Sequence, residues 1–222
     1  VFENLGDGGY TLRVCAEGYF PLEGNTVTLQ GEEQYRILQP FYLTPAADHL
    51  AAYAELVQEY EEEHGFFDLG LTGWCAYAGG VNYLNLVDMD GDGTEELLVG
   101  YMDSFAYDYG VEVWTYRNGE AVLLGTPGCY LIGVEGVAVC TAEVDGQPVV
   151  ITGSANAGYQ AWGYDGESLQ QTASYTEAEV QSLDPTIWEI NVGNTDRFQE
   201  ERELLRLWSQ VREVREMLGG MP

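Results

Sequence analysis

Short apolar segments separated by turn residues dominate the chain between residues 82 and 171. Val, Leu, Ile, Tyr and Trp alternate or cluster in these segments, which is typical of β-strands. The segments that we predict to be strands are 82–87, 95–101, 111–116, 121–124, 129–133, 136–144, 148–153, 159–164 and 168–171. Three of the turns between them carry Asn118-Gly119, Asp145-Gly146 and Asp165-Gly166, and such pairs favour tight hairpins.

Two longer segments have the spacing of amphipathic helices. The first is predicted to begin at Thr44-Pro45, with Thr as the N-cap, and to stop at Gly65. The second is predicted from about 196 to 218, and its apolar stripe is formed by Leu204, Leu207, Val211, Val214 and Leu218. We expect this stripe to pack against the protein's own sheet, with a helix-mediated dimer as the alternative.

A short helix is predicted after Thr176, because Thr176 and Glu179 have the spacing of a capping box. Together these elements predict a single α+β domain over residues 1–222, made mostly of antiparallel β-hairpins with two long helices (about 45–64 and 196–218) packed on them. A β subregion is predicted within residues 1–43, with strands near 10–15, 26–30 and 34–38. A propeller-like arrangement of blades is the alternative fold.

The charge of the chain is strongly negative, with 37 acidic residues against 8 basic ones and a formal net charge of −29. Such a surface repels a phosphate backbone, so we expect no nucleic-acid partner and regard cations as the natural small partners. No apolar run reaches the ~18 residues of a membrane span, and no signal-like segment appears at Val1. We expect no membrane span, and an export signal or lipoprotein anchor that is absent from this sequence.

Four cysteines, Cys15, Cys75, Cys129 and Cys140, allow three pairings, and the sequence alone does not choose among them. The segment CYLIGVEGVAVC looks like a hairpin with its turn at GVEG, which would place Cys129 opposite Cys140. Directly opposed residues on antiparallel strands have Cα atoms about 4.5–5.5 Å apart, within the range of a disulfide. Cys129–Cys140 is therefore a candidate disulfide, and two buried free thiols are the alternative.

Residues 87–100, VDMDGDGTEELLVG, place acidic side chains at alternate positions of a short loop. Counted from Asp88, they occupy positions 1, 3, 5 and 9, and a threonine at position 7 offers its main-chain carbonyl. Alternate residues of a tightly turned loop can direct oxygens at one point, and calcium binds about six to eight of them. Gly91 and Gly93 permit the sharp turn. We predict a calcium site with the ligands Asp88, Asp90, Asp92, Thr94 and Glu96.

An EF-hand does not fit this segment. An EF-hand loop needs a bidentate Glu at position 12 and a helix on each side. Position 12 is Val99, and Leu97-Leu98-Val99 continues as a predicted strand. We therefore expect a strand–loop–strand site that is closed by Glu96.

The same residues, followed by VEVWTYRNGEAVLL, resemble the FG-GAP/VCBS-type repeat of extracellular proteins, which occurs in integrin-like β-propellers and in many bacterial surface proteins. The resemblance covers about residues 82–124. It implies that the acidic DxDGDGxx[DE] loop binds calcium between the two strands of a hairpin, with Asp88, Asp90, Asp92, Thr94 and Glu96 as ligands. It also implies an extracellular or cell-surface location.

A second, fainter copy of this repeat is predicted over residues 137–171. VDGQPVVITG parallels GDGTEELLVG, and Asp145-Gly146 aligns with Asp92-Gly93. Val149 stands at the position of Glu96, and the first two Asp residues have no counterpart, so this copy is expected to bind no metal. Two copies fall short of the several blades of a closed propeller.

Aromatic residues are the candidate ligand surface. They are concentrated in and beside segment 102–110 and in the second copy, and exposed rings would suit stacking on sugars or a protein partner. Cross-strand packing is the alternative. We expect the calcium to hold loop 88–96 and the neighbouring aromatic segment 102–110. The candidate surface residues are Tyr101, Phe105, Tyr107, Tyr109 and Trp162.

Catalysis is less expected than binding, and no catalytic residues are assigned. The chain has two histidines and no GxSxG elbow, and its many carboxylates make any single pair uninformative. The sequence favours an exported, calcium-stabilised, β-rich binding or adhesion module of a bacterial cell envelope. The alternatives are an extracellular hydrolase acting on glycans or peptides and a purely structural domain of a larger surface assembly.

Overall fold

Most of the described chain is antiparallel β-sheet with helices packed against it. The structure is a computed structural model, and it describes residues 7–14, 19, 22–29, 47–71, 75–102, 108–131, 138–154, 157–189, 191–193 and 197–219. Within these ranges the helices are α1 (Asp48–His64), α2 (Glu177–Ser182) and α3 (Arg197–Met217).

The strands in chain order are β1 (Gly8–Val14), β2 (Leu22–Leu29), β3 (Asp68–Leu71), β4 (Cys75–Val87), β5 (Glu96–Met102), β6 (Asp108–Arg117), β7 (Glu120–Leu131), β8 (Ala138–Val144), β9 (Gln147–Ser154), β10 (Gly158–Tyr164), β11 (Leu169–Tyr175), β12 (Thr186–Glu189) and β13 (Asn191–Gly193). β1 and β2 form a two-stranded sheet of their own within the predicted subregion 1–43. The predicted strand 34–38 lies outside the described residues.

Two four-stranded meanders follow one another along the chain. β4 to β7 pair in sequence order in the first sheet, and β8 to β11 do so in the second. β13 and β3 also pair with β4, and β12 pairs with β8. In the part of the chain that is described, the two sheets are separate and form no closed propeller.

The predicted Asn-Gly and Asp-Gly hairpins are confirmed at two of three places. Asn118-Gly119 joins β6 to β7 and Asp145-Gly146 joins β8 to β9, each as a two-residue turn with positive φ at both residues. The third turn is longer, because residues 165–168 separate β10 from β11. Segments 121–124 and 129–133, predicted as two strands, belong to the single strand β7 as far as Leu131, and its pairing with β6 contains register shifts.

The first sheet is buried on both faces, because β5 sends alternate side chains to two different cores. Leu98 and Met102 join a core between the two sheets, whereas Leu97 and Val99 join a core beneath the long helices. A third core packs α2 through Val180 on the outer face of the second sheet. The molecule is therefore layered, with α1 and α3 on the first sheet, then the second sheet, then α2.

The described part of the α3 stripe packs against the protein's own sheet, as predicted, whereas the Leu204 side chain lies outside the described residues. Val211, Val214 and Leu218 lie in the core beneath the helices, and Leu207 reaches the core between the sheets. The Arg215 guanidinium also donates to both carboxylate oxygens of Glu61 on α1, at 2.7 and 2.9 Å. Nowhere in the described residues is a helix long and apolar enough to cross a membrane.

The ends of the helices agree with the sequence in most places. α1 ends at Gly65 as predicted, but it begins at Asp48 after an N-cap at Ala47, three residues later than Pro45. Thr44 and Pro45 themselves lie outside the described residues. The capping box of α2 is present, since Thr176 and Glu179 each bond the other's backbone N–H.

The predicted hairpin around Cys129 and Cys140 is wrong. Cys129 lies on β7 opposite Gly110 in the first sheet, and Cys140 lies on β8 between Ile151 and Ile187 in the second. Cys140 is a free cysteine, so the basis of the proposed Cys129–Cys140 disulfide is lost. Burial raises the pKa of the Cys140 thiol to about 12, which makes it unreactive at neutral pH.

The packing of α3 against the sheets can be tested with two of its leucines, which are two residues apart. Leu207 is fully buried, whereas Leu205 is 56% exposed. We expect Leu207→Ala to lower the free energy of unfolding by about 2–5 kcal/mol, through lost burial and the cavity left behind. Leu205→Ala is the matched control and should change it by no more than about 0.5 kcal/mol in urea unfolding. Equal losses for both variants would contradict the docking of α3.

Candidate functional site

The acidic segment forms the connection between β4 and β5. Val87 pairs with Glu96, so residues 88–95 leave the sheet at its edge and return to the neighbouring strand. The predicted strand–loop–strand arrangement is confirmed, and Glu96 is the first residue of β5. The loop is compact because Gly91 and Gly93 adopt φ values of +80° and +89°.

Backbone amides of the loop hold its aspartates in place. The Asp88 carboxylate accepts from the amides of Gly91 and Gly93, at 2.8 and 3.0 Å. One oxygen of Asp90 accepts from the Asp92 amide at 3.1 Å, and Asp92 accepts from the Thr94 amide at 2.7 Å. These bonds fix the direction of each side chain, which reduces the ordering cost of gathering like charges.

Glu96 is a buried carboxylate, with only 2% of its surface exposed. One oxygen accepts from the Met89 amide and the other from the Thr115 hydroxyl, each at 2.9 Å. Burial raises the pKa of Glu96 to about 7, and the charges of Asp90 and Asp92 add to this effect. The two hydrogen bonds act in the opposite direction but do not offset the burial.

Three of the five predicted ligands meet at one point. Carboxylate oxygens of Asp88, Asp90 and Glu96 all lie within 4.8 Å of one another. Asp92 lies outside this group: its side chain is exposed and bonds the Thr94 amide. The role of the Thr94 carbonyl stays a prediction.

The donor set fits a hard cation. Its oxygens come from carboxylates that are drawn together although they repel one another, and calcium and magnesium prefer such ligands. Three protein side chains leave room for water or main-chain oxygens to complete a shell of about six to eight. Asp88, Asp90 and Glu96 are the residues that would hold the ion.

Helix α1 supports the loop from the side, through contacts that sequence reasoning missed. The Tyr53 hydroxyl donates to the main-chain carbonyl of Glu95 at 3.0 Å, and His49 Nε2 lies 3.0 Å from a carboxylate oxygen of Glu95. Burial, and then the charges of Glu96 and Glu95, raise the pKa of Tyr53 well above its ordinary value, so its hydroxyl remains a donor. No local motif signals these contacts, since they join residues more than forty positions apart.

The candidate aromatic surface is only partly described, and two of its members are packed. The Tyr101 ring stacks on His64 with centroids 4.3 Å apart, and its hydroxyl donates to Glu112 at 3.1 Å. Trp162 packs against the core between the sheets and donates to the Thr152 hydroxyl at 3.3 Å. Phe105 and Tyr107 lie outside the described residues, as does the side chain of Tyr109.

The expectation that one ion holds both the acidic loop and the aromatic segment 102–110 stays a prediction, because residues 103–107 lie outside the described residues. β5 starts at the acidic loop with Glu96 and ends at Met102, so these two residues lie about 20 Å apart along the strand.

The second repeat has the strands of the first without its acidic loop. The β8–β9 connection, which corresponds to β4–β5, is the two-residue turn Asp145-Gly146. Val149, which was aligned with Glu96, packs in the core beside α2. The two-residue β8–β9 turn thus has no segment that corresponds to residues 88–95, and the absence of a metal from this predicted copy stays a prediction.

The buried Glu96 predicts a pH dependence of stability in the absence of metal. Its pKa of about 7 in the folded state lies above the ordinary 4.5, so the folded protein binds this proton more tightly than the unfolded chain. The stabilisation is complete below about pH 4.5 and is lost as the pH rises through about 7, and over this whole range it amounts to about 3 kcal/mol.

Glu96→Gln removes this titration while retaining the shape of the side chain. In urea unfolding with a chelator, the free energy of unfolding of the variant relative to the natural protein should increase by about 2 kcal/mol between about pH 5 and pH 7.5. A constant difference across this range would show that Glu96 does not titrate there.

Comparisons with protein-family models, with curated proteins and with solved structures gave no match to the chain. The likeness of residues 82–124 to the FG-GAP/VCBS repeat therefore stays a prediction that rests on the residues of the loop and its strands.

Proposed function

We propose that residues 88–96 bind a calcium ion that stabilises an exported β-rich binding or adhesion module. One observation carries this proposal: the buried carboxylate of Glu96 and the carboxylates of Asp88 and Asp90 converge within 4.8 Å. Bringing these charges together costs free energy through mutual repulsion and desolvation, and a divalent cation at their centre offsets both terms.

Calcium is favoured over other metals by the type and arrangement of the donors. The group consists of carboxylate oxygens, whereas zinc and copper sites usually include imidazole or thiolate ligands. Magnesium demands a near-ideal octahedron and retains several waters, whereas calcium accepts irregular oxygen shells in loops. Loop 88–94, in which backbone amides hold the aspartates, suits the irregular oxygen shell of calcium.

The proposed extracellular location follows from the calcium affinity expected of such a site. Three clustered carboxylates on a partly exposed loop suit a dissociation constant of about 10⁻⁴–10⁻³ M, which is typical of extracellular modules. Millimolar calcium outside the cell would fill the site. The net charge of −29 would add a long-range attraction for cations, and salt would screen it.

A hydrolase receives less support from the site. Two close carboxylates, one with a raised pKa, are a pattern shared with acid–base catalysts, and Glu96 with Asp90 meets it. A general acid must reach its substrate, however, and Glu96 is 2% exposed with both oxygens bonded to Met89 and Thr115. A structural ion explains a buried carboxylate in this position better than catalysis does.

The partner of the module is proposed only by chemical class. Tyr101 and Trp162 are engaged within the protein, so a glycan or protein ligand would depend on Phe105, Tyr107 and Tyr109 in segment 102–110. Met102, the first residue of this segment, lies at the other end of β5 from Glu96, so we expect ligand binding by the segment not to require contact with the calcium ion.

Calcium should raise the melting temperature, and one aspartate should be required for the effect. For a dissociation constant near 0.1 mM, about 1 mM calcium stabilises the folded state by roughly 1.4 kcal/mol. Asp90→Asn should abolish this rise at neutral pH, because it replaces a ligand charge while retaining the oxygen that accepts from Asp92. The measurement is thermal unfolding with calcium and with chelator.

Asp145→Asn is the matched control. It also removes one negative charge from a turn, but Asp145 lies in the β8–β9 hairpin and its φ of +53° is well tolerated by Asn. This variant should respond to calcium as the natural protein does. If calcium leaves the melting temperature of the natural protein unchanged, or raises that of Asp90→Asn equally, the proposed site is wrong.

A further inference from the structure

We infer that the β10–β11 turn of the second sheet, residues 165–168, helps to position the calcium ligand Asp90, so that ion binding and docking of the two sheets strengthen each other. This coupling rests on the calcium site proposed above. It gives the second repeat, which has no metal loop of its own, a role in supporting the loop of the first.

Gly166 approaches the acidic loop closely. A Cβ atom placed on Gly166 would lie 3.3 Å from an oxygen of Asp90, the one that does not accept from the Asp92 amide. This separation is tighter than ordinary van der Waals contact, so the carboxylate would have to move by a few tenths of an ångström. Ligand distances in metal sites usually agree within about 0.2 Å, so a displacement of this size would disturb a bound ion. The Gly166 backbone therefore lies beside Asp90 without room for a side chain between them.

Arg117, at the end of β6 in the first sheet, holds the Gly166 backbone in this position. Its guanidinium donates to the Gly166 carbonyl and to the Tyr164 hydroxyl, and lies 5.5 Å from the centre of the Tyr164 ring. One residue of the first sheet therefore holds both the end of β10 and the first half of the turn. The turn is also stiff within itself, because Asp165 accepts from the amides of Glu167 and Ser168 at 2.9 and 2.8 Å.

Met89 provides a second connection between the site and the second sheet. Its amide donates to Glu96, and its side chain is buried in the core between the sheets together with Tyr164. A shift of the second sheet would therefore disturb two groups at once, the oxygen of Asp90 at Gly166 and the donor to Glu96. By linkage, whatever the docked turn adds to calcium affinity, bound calcium adds to docking of the turn.

The chain supplies a matched pair of glycines for a test. Gly166 and Gly146 both lie in turns of the second sheet, with φ of +85° and +79°, so Ala at either position carries a similar backbone strain. A Cβ on Gly146 would find no atom within 4 Å, whereas one on Gly166 would find Asp90. We expect Gly166→Ala to weaken calcium binding by about tenfold, in the range seen for groups that orient metal ligands. Gly146→Ala should leave the dissociation constant within about twofold in isothermal titration calorimetry.

Two further measurements keep the test decisive if Gly166→Ala folds poorly. Arg117→Lys keeps the positive charge but loses the planar fork that reaches two acceptors, so it should weaken calcium binding in the same direction. In the natural protein, calcium should slow hydrogen exchange of the Glu167 and Ser168 amides, and should leave exchange at Gly146 unchanged.

The outcomes separate this inference from the calcium site itself. Selective weakening in Gly166→Ala or Arg117→Lys, with slower exchange in turn 165–168, supports the coupling. If the natural protein binds calcium, but these variants bind it as Gly146→Ala does and exchange in the turn is unaffected, the coupling is overturned and the site stands. If the natural protein binds no calcium, both are overturned.

Discussion

Burying a carboxylate at the first position of a central strand places a charge where water cannot screen it, and the surrounding chain has to compensate. The described partners of Glu96 are an amide and a hydroxyl, and neither carries a positive charge. Its nearest charged neighbours are further carboxylates. Without metal the group retains its proton up to about neutral pH. A divalent cation would let it ionise, and the same cation would hold the loop together.

The rest of the architecture keeps this strand end in place. β5 is apolar on both faces, so it has to be covered on both, by the second sheet and by the two long helices. The same layers support the acidic loop from two sides: the Tyr53 hydroxyl from α1 donates to the Glu95 carbonyl, and Gly166 from the second sheet lies beside Asp90. Packing that buries apolar surface and packing that positions oxygens are thus achieved by the same elements.

The parts of the fold that the sequence predicted correctly are those that depend on residues close together in the chain. The capping box at Thr176, the turn at Asn118-Gly119 and the stripe on α3 each depend on residues within a few positions of one another. The convergence of Asp88, Asp90 and Glu96 follows from local spacing too, since a loop of nine residues has few ways to point three oxygens inward.

The incorrect predictions concern long-range pairing. An apolar run with a central glycine turn, as in 129–140, is equally compatible with a hairpin and with a passage from one sheet to the next. For Tyr101 the sequence left an exposed and a packed ring open, because its contact with His64 joins residues that are far apart in the chain. The approach of Gly166 to Asp90 had no sequence signal, because glycine in a turn ordinarily reports only backbone conformation.

The position of α3 at the C-terminal end of the described chain has a consequence for biogenesis. Both meanders are assembled from neighbouring strands, so their pairing can begin while the polypeptide is still emerging. α1 is already present when these strands form, but α3, which covers the rest of the same apolar face, is synthesised after the described strands. Until α3 docks, the part of the face beneath it stays exposed, and such transiently exposed apolar surface favours aggregation.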